Sequence, residues 1–488
     1  MMAMTNRANI KHDCMILATL DELVPEDHMV RKLEAAIDWS FIYPLVKPLY
    51  SEMGRPSIDP VVLFKMILIN YCFGYNSMRK TCKEIEVNVA YRWLLGYEIS
   101  EAVPNYSTWS QNYIRRYGDS KVFEQIFNKV LQEAMDNKFV KLETVFGDGT
   151  HMKACANKRK STKEEVEVTK RAFEEDLLKE INADRRDHGK KKEFKTLKRE
   201  EYDFDEETGE QIAVIEKKTV KQSITDPESG NFHKGDHEEC FAYEHQTFCD
   251  SNGFVITFET VPGNVHDSVS FFPAYKKLLE QFGSDIKNVC LDAGYKTPAI
   301  AREIIEHKQT PYFPYKRPMT KKGLFKKNEY VYDEEFDCYL CPNNEVLKYT
   351  TTDRQGYKHY KSDPAKCSTC PLRQQCTASK NNQKDVIRHV WADYMEEAEE
   401  IRYTPEWKEI YPQRKETIER VFADDKENHC LRYTRVRGIK KNRHVGSIIF
   451  TCHNLVRLAR WKWKGSSHIG ENSSNSSLFT SEFILMAQ

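Results

Sequence analysis

Three acids, far apart in the chain, have the residue types and settings that metal-assisted chemistry needs. In "VFGDGTHMKACANKRK" (145–160), Asp148 follows a β-type run and sits between two glycines. Asp and Gly are ordinary where a strand ends in a turn. A carboxylate held at a strand end is also a ready ligand for a metal ion. Asp292 stands at the end of a second such run, "NVCLD", directly before Ala-Gly-Tyr. Ligands gather at strand ends in α/β sheets, so the two acids can be neighbours despite their separation in sequence. Two hard carboxylates suit Mg²⁺ or Mn²⁺. A two-ion site, with ions roughly 3.5–4 Å apart, needs at least one more acid. Glu419 is the candidate, in "YPQRKETIERVFADDKENH" (411–429), which reads as one helix. At about 100° per residue, Tyr411, Arg414, Glu419 and Lys426 fall within roughly 140° of one another. A salt-bridged surface helix would show the same spacing.

A second group of ligating residues lies between Asp292 and Glu419. "CYLC" (338–341) is followed by "CSTCPLRQQC" (367–376). Two Cys-x2-Cys pairs 25 residues apart have the spacing of a zinc ribbon. Zinc takes four ligands and five cysteines are present, so Cys338 or Cys376 is spare or the spare one exchanges. A structural ion would fold a loop-rich insert that has no core of its own.

The elements that must position these residues change character along the chain. Residues 1–140 read as mostly helical, with "RPSIDPVVLFKMILINYCFG" opening after Asp and Pro. The next segments, beginning "SMRKTC" and "STWSQN", each start with a Ser able to cap a helix. From 141 the period becomes β-like in "LETVFGDG", "FAYEHQTFCD", "GFVITFETV", "NVCLDAGY" and "TPYFPY". Amphipathic helices, "DSVSFFPAYKKLLEQF" and "PAIAREIIEHK", fall between the later strands, which implies a mixed α/β sheet. In "GNVHDSVSFF", Asp267 or Ser268 reads as a helix N-cap. Residues 158–224 are charge-rich with mixed signs, as in a solvated helical arm or hairpin.

Taken in order, these motifs resemble the Asp-Asp-Glu (DDE) transposases of bacterial insertion sequences, in the subgroup with a Cys-rich insert before the last acid. "GDGTHMKACANK" resembles the first-acid motif and "NVCLDAGYKT" the second. Tyr411, Arg414, Glu419 and Lys426 resemble the Tyr-Arg-Glu-Lys signature. "GRPSIDPVVLFKMILINYCFGYNSMRKTCKEIEVNVAYRWLLGYE" and "VPNYSTWSQ" resemble the helical N-terminal domain, and the likeness spans about residues 15–465. It implies an RNase H-like mixed-sheet catalytic core, an α-helical N-terminal domain and a small zinc-binding insert. It implies Asp148, Asp292 and Glu419 as the metal-binding catalytic triad, with Mg²⁺ or Mn²⁺. Tyr411, Arg414 and Lys426 would contact DNA. The usual spacing of three residues before the Glu falls on Lys415, with Arg414 one position earlier, so either can fill the basic role. For zinc the likeness implies Cys341, Cys367, Cys370 and Cys376, with Cys338 less well placed.

The expected domains are 1–140, helical and DNA-binding; 141–317, the first part of the core with a charged insert at 158–224; 318–400, the Cys-rich insert; 401–465, the final core helices and basic region; and 466–488, a Ser/Asn-rich disordered tail. Formal net charge is zero. From Leu431 to Lys464, however, ten Lys/Arg occur with no Asp or Glu, enough to attract a polyanion. There "RLARWKWK" pairs basic residues with two Trp, suited to phosphate contact and base stacking or to core packing. No secretory h-region or membrane-length apolar run is present, and fourteen cysteines without an export signal argue against a disulfide framework. A bacterial cytoplasmic protein is expected. Its partners would be double-stranded DNA (element terminal inverted repeats and target) and, by the resemblance, a second copy in a homodimer. The competing expectations are a catalytically inactive, transposase-derived DNA-binding protein and an unrelated zinc-ribbon scaffold.

Overall fold

A computed structural model describes residues 15, 17–54, 57–167, 173–197, 202–204, 211–213, 217–234, 238–317 and 320–467. The tail expected at 466–488 lies, from residue 468 on, outside the described residues. The chain is a mixed α/β protein with a helical N-terminal region, and it divides into two compact units. One holds the chain up to Phe139 with Asp425–Cys430 and the chain from Ser447. The other holds Val140–Asp424 with Leu431–Gly446.

The first unit is built on the helix Pro60–Cys72, ten of whose thirteen residues are buried. Asp59 caps it by accepting from Val61 N at 2.7 Å, and Pro60 stands at its first turn, where a missing N–H costs nothing. Its Lys65 is buried but satisfied, donating to Glu34 Oε2 at 2.6 Å and to Leu94 O at 3.1 Å. Ser77 caps the next helix, Met78–Val87. The helix Tyr106–Asn112 is capped by Asn105 and not by the Ser of "STWSQN", because the helix begins one residue before that Ser. At the end of the last helix, Ile439–Ser467, Trp461 packs edge-on against Phe139, with ring centroids 5.3 Å apart. Lys462 donates to Ala36 O and Glu133. That basic, Trp-containing end is thus packed within the helical unit.

The second unit contains a six-stranded sheet. Its strands are β1 (Thr144–Lys153), β2 (Gly230–Lys234), β3 (Glu238–Asp250), β4 (Val255–Pro262), β5 (Asn288–Cys290) and β6 (Thr310–Tyr312). The order is β6-β5-β1-β3-β2, with β4 also paired to β3. β1 is antiparallel to β3 and parallel to β5, and β5 is parallel to β6. The helix Asp267–Phe282 connects β4 to β5, and Pro298–Glu306 connects β5 to β6. On the sheet, Phe248 meets Phe271 and Tyr275 of the first of these helices, all three fully buried.

After β6 comes an antiparallel meander of β7 (Val331–Asp333), β8 (Cys338–Leu340), β9 (Val346–Thr352), β10 (Tyr357–Lys361) and β11 (Asp385–His389). Tyr330, Tyr339, Leu347, Tyr360 and Val386 form its small core. The charged segment 158–224, expected as a solvated helical arm or hairpin, has both a helix and an antiparallel strand pair, but it is not wholly solvated. Ser161–Glu167 pairs antiparallel with Lys217–Ser223, and the helix Glu174–Asp187 buries Leu177, Ile181 and Arg185. Arg185 donates to Thr352 O at 3.0 Å and Lys358 pairs with Asp184 at 2.6 Å. Charge density concealed this packing, because the face that docks is only one residue in four.

Candidate active site

The parallel register of β1 and β5 brings two acids together. Phe146 lies opposite Cys290 in the last parallel pair. Asp148 stands two residues further along β1 and Asp292 two residues past the end of β5, near enough for the Asp292 charge to act on Asp148. Asp148 does not end its strand, as its Gly-Asp-Gly setting suggested. β1 continues to Lys153 on its antiparallel side, where Asp148 faces Thr247. The glycines serve close packing instead of a turn. A Cβ on Gly147 would lie 2.6 Å from the Phe248 ring and 2.7 Å from Leu291 Cδ2. One on Gly149 would lie 2.5 Å from Glu244 Oε1 and 3.3 Å from the Tyr295 hydroxyl.

The third acid comes from a broken helix. Tyr411–Lys415 is a 3-10 turn and the α-helix runs Ile418–Asn428, with Glu416 and Thr417 at the break. Tyr411 and Arg414 therefore do not share one helical face with Glu419 and Lys426. Arg414 nevertheless joins two of the three acids, Asp148 and Glu419. It is buried, donates from Nη1 to Glu419 Oε1 at 2.9 Å, and donates from Nη2 to Asp148 Oδ2. Its Nε is buried with no hydrogen-bond partner. Lys415 beside it is exposed. Lys426 belongs to the helical unit. Tyr411 stacks on Trp407, with rings 4.9 Å apart and 6° from parallel, and Trp407 is anchored to Phe313 O at 2.9 Å.

Burial is the main force on the charges here. It pushes the Asp148 carboxyl up to about 6, against the opposing pull of Arg414 and with a further push from Asp292. Burial likewise lifts the Tyr411 phenol to about 12, so it is a neutral donor. Asp292 accepts from Gly294 N at 2.6 Å. Among the described residues, neither Asp292 nor Asp267 has a cationic partner within 4.0 Å.

Sequence reasoning missed a second layer behind the triad. β3 carries Glu244, His245, Gln246 and Thr247 in succession, all fully buried. Ser270 donates to Glu244 Oε1 at 2.9 Å and Tyr295 donates to Gln246 Oε1 at 2.6 Å. Glu244 Oε2 and Gln246 Nε2 have no partner. Burial, then the nearby Asp267 charge, raises the Glu244 carboxyl to about 8. The signal was a run of polar residues inside "FAYEHQTFCD", between aromatic positions that must be buried. The sequence offers Asp267 or Ser268 as the helix cap, and the structure uses neither. The cap is His266, whose Nδ1 accepts from Ser268 N at 3.1 Å, leaving Asp267 in the first turn beside Asp292.

In the meander, Cys341, Cys367, Cys370 and Cys376 line one small cavity of about 20 Å³. Glu345 N donates to Cys341 Sγ at 3.4 Å, and the Tyr330 hydroxyl lies 3.2 Å from Cys376 Sγ. Cys338 is buried in β8 and does not line that cavity.

Two family models match the chain. Residues 18–115 match a transposase domain (DUF772), and residues 340–459 match a transposase DDE domain. The second match takes in Glu419 and the cysteines from Cys341 onward, while Asp148 and Asp292 precede it. Comparisons with curated proteins and with solved structures gave no match. The helical region carrying the first match and the acid-bearing α/β unit carrying most of the second belong to one chain, and that chain is an insertion-sequence transposase of the DDE class.

Proposed function

We propose that Asp148, Asp292 and Glu419 form a divalent-metal site at which this transposase cleaves element ends and joins them to target DNA. The observation that carries the reading is the register that sets Asp148 and Asp292 side by side, with Arg414 joining Asp148 to Glu419. The sheet order, with β1 antiparallel to β3 and parallel to β5, supports an RNase H-like core. The donor set fits the group. All three are hard oxygen ligands, which Mg²⁺ and Mn²⁺ prefer, and Asp292, which feels Arg414 only at longer range, has no direct ion-pair partner among the described residues.

Ions held there would activate the attacking hydroxyl and stabilise the leaving oxygen. The chain's own residues supply the rest. Arg414, with its spare Nε–H, is placed to balance charge on a scissile phosphate once its carboxylate partners are otherwise engaged. Tyr411, neutral and held by Trp407, can donate to a phosphate oxygen. Arg414 has the geometry for the signature's basic role at the acids, and exposed Lys415 suits contact with the DNA backbone. Lys426 is retained as a DNA contact on the resemblance alone. We also propose that Cys341, Cys367, Cys370 and Cys376 hold structural Zn²⁺. Their shared cavity and the N–H donor to Cys341 support that set over one including Cys338. A homodimer would bring two element ends together, and the domain limits given above are retained as proposals.

The test is a cleavage assay on supercoiled plasmid carrying the flanking element ends, with Mg²⁺ or Mn²⁺. Wild type should cut at the ends and Glu419→Ala should not. End-specific binding without cleavage by wild type would favour the inactive DNA-binding alternative.

A further inference from the structure

Asp267 begins the helix that crosses from β4 to β5, and its position is fixed from two sides. His266 caps the helix, and one turn on Ser270 ties it to Glu244 of β3 at 2.9 Å. The result places the Asp267 carboxylate against Asp292. A single atom at the β-position of Gly294 would lie 3.0 Å from Asp267 Oδ2 and 3.0 Å from Asp292 Oδ1. Two carboxylates that share one atom-sized neighbour repel each other unless a cation lies between them. Arg414 directs its two arms to Asp148 and Glu419 and reaches Asp292 only at longer range, and His266 acts on Asp267 from the side of the helix cap, so neither cation lies between the two carboxylates as a direct ion-pair partner. Behind them Glu244 Oε2 is fully buried and unpartnered, and Asp267 is the strongest charge acting on that carboxyl. A helix first turn favours an acid, which is reason enough for an Asp at this position. It does not require the acid to face another carboxylate.

We propose that Asp267 is a fourth carboxylate ligand of the divalent-metal centre, acting opposite Asp292. This rests on the metal-site reading above. With four acids and one arginine, the centre would carry a surplus of negative charge that bound divalent ions offset. Gly294 is then the residue that leaves room between the paired carboxylates, because any side chain there would occupy the space the ion needs.

The experiment is calorimetric titration of Mn²⁺ into the zinc-loaded full-length chain, comparing wild type, Asp267→Asn and Asp292→Asn, with thermal melting of each in chelator. Both variants should bind Mn²⁺ at least about tenfold more weakly than wild type. Without metal, Asp267→Asn should melt no lower than wild type, because it removes a like-charge pair and keeps a residue suited to a helix start. Asp267→Asn binding as wild type does, with Asp292→Asn weakened, would overturn this inference and leave the triad standing. So would a loss of binding matched by a fall in metal-free melting temperature, which would mark a purely structural residue. Wild type that takes up no Mn²⁺ would overturn the metal-site reading itself.

Discussion

The acids of this site are held in two different ways. Asp148 lies on β1 and Asp292 just past the end of the parallel strand β5, and the register of the two strands is set by a buried core around Phe146, Val289 and Cys290. Glu419 stands on a helix that starts just after a break, with about half its side chain exposed, and Arg414 ties it to Asp148. The first pair is positioned by strand pairing, whereas the third acid is positioned by the Arg414 contact that it shares with Asp148, which an incoming ion or phosphate must rearrange. Half the site is thus preformed and half is assembled. Loss of a strand acid should remove the site, and changes near the break should tune it.

The largest expected effect follows directly. Asp148→Ala or Asp292→Ala should lower end cleavage by at least about a thousandfold. Arg414→Ala should do less at high pH and more at low pH. Arg414 pulls the Asp148 carboxyl down, so its removal shifts the acid limb of the pH–rate profile to higher pH. An unshifted limb would mean that Asp148 is not the titrating group.

Stability should separate the two regions as well. Glu244 binds its proton more tightly folded than unfolded, with a carboxyl near 8 against an ordinary 4.5. Folding therefore costs more as pH rises from about 4.5 to about 8. Glu244→Gln should accordingly gain on wild type across that window, by on the order of 1–3 kcal/mol at pH 7, with no change in the difference below about 4.5. Thermal melting at a series of pH values measures this. Gly149→Ala, which places a methyl group 2.5 Å from Glu244 Oε1, should cost about 1–3 kcal/mol. A cost near zero would show that Glu244 can retreat.

The Cys-rich meander offers the converse contrast, a site with little core around it. Cys370→Ser should release zinc, measured by a chromogenic chelator, and loosen the meander, while Cys338→Ser should keep it. The smallest effect is expected from exposed Lys415. Its change to Ala should weaken end binding modestly and reduce the salt slope by about 1.

Much of the core was legible from residue periods. All five β-type runs form strands of the sheet, and both amphipathic helices lie where the alternation put them. Asp148 and Asp292 stood out as candidates because each follows a short β-type run and a sheet gathers such positions, whereas Glu419 stood out only through the resemblance of its segment to the signature. Three things were hidden. The course of β1 past Asp148 depends on β3, and no local pattern shows that a Gly-Asp-Gly is paired. The break at Glu416–Thr417 leaves helix formers on both sides. The neighbourhood of Asp267 and Asp292 arises from one helix start meeting one strand end, a tertiary event that neither segment encodes alone.

The central claim is that adjacent strands present Asp148 and Asp292 to one metal-dependent reaction on DNA. The most direct measurement is strand transfer from precut element ends, carrying free 3′-hydroxyls, into a plasmid target with Mg²⁺. Precut ends bypass the first cleavage and isolate the joining step. Wild type should give joined product, and Asp148→Ala and Asp292→Ala none, with all three proteins still binding the ends. Equal joining by wild type and either variant would contradict the account.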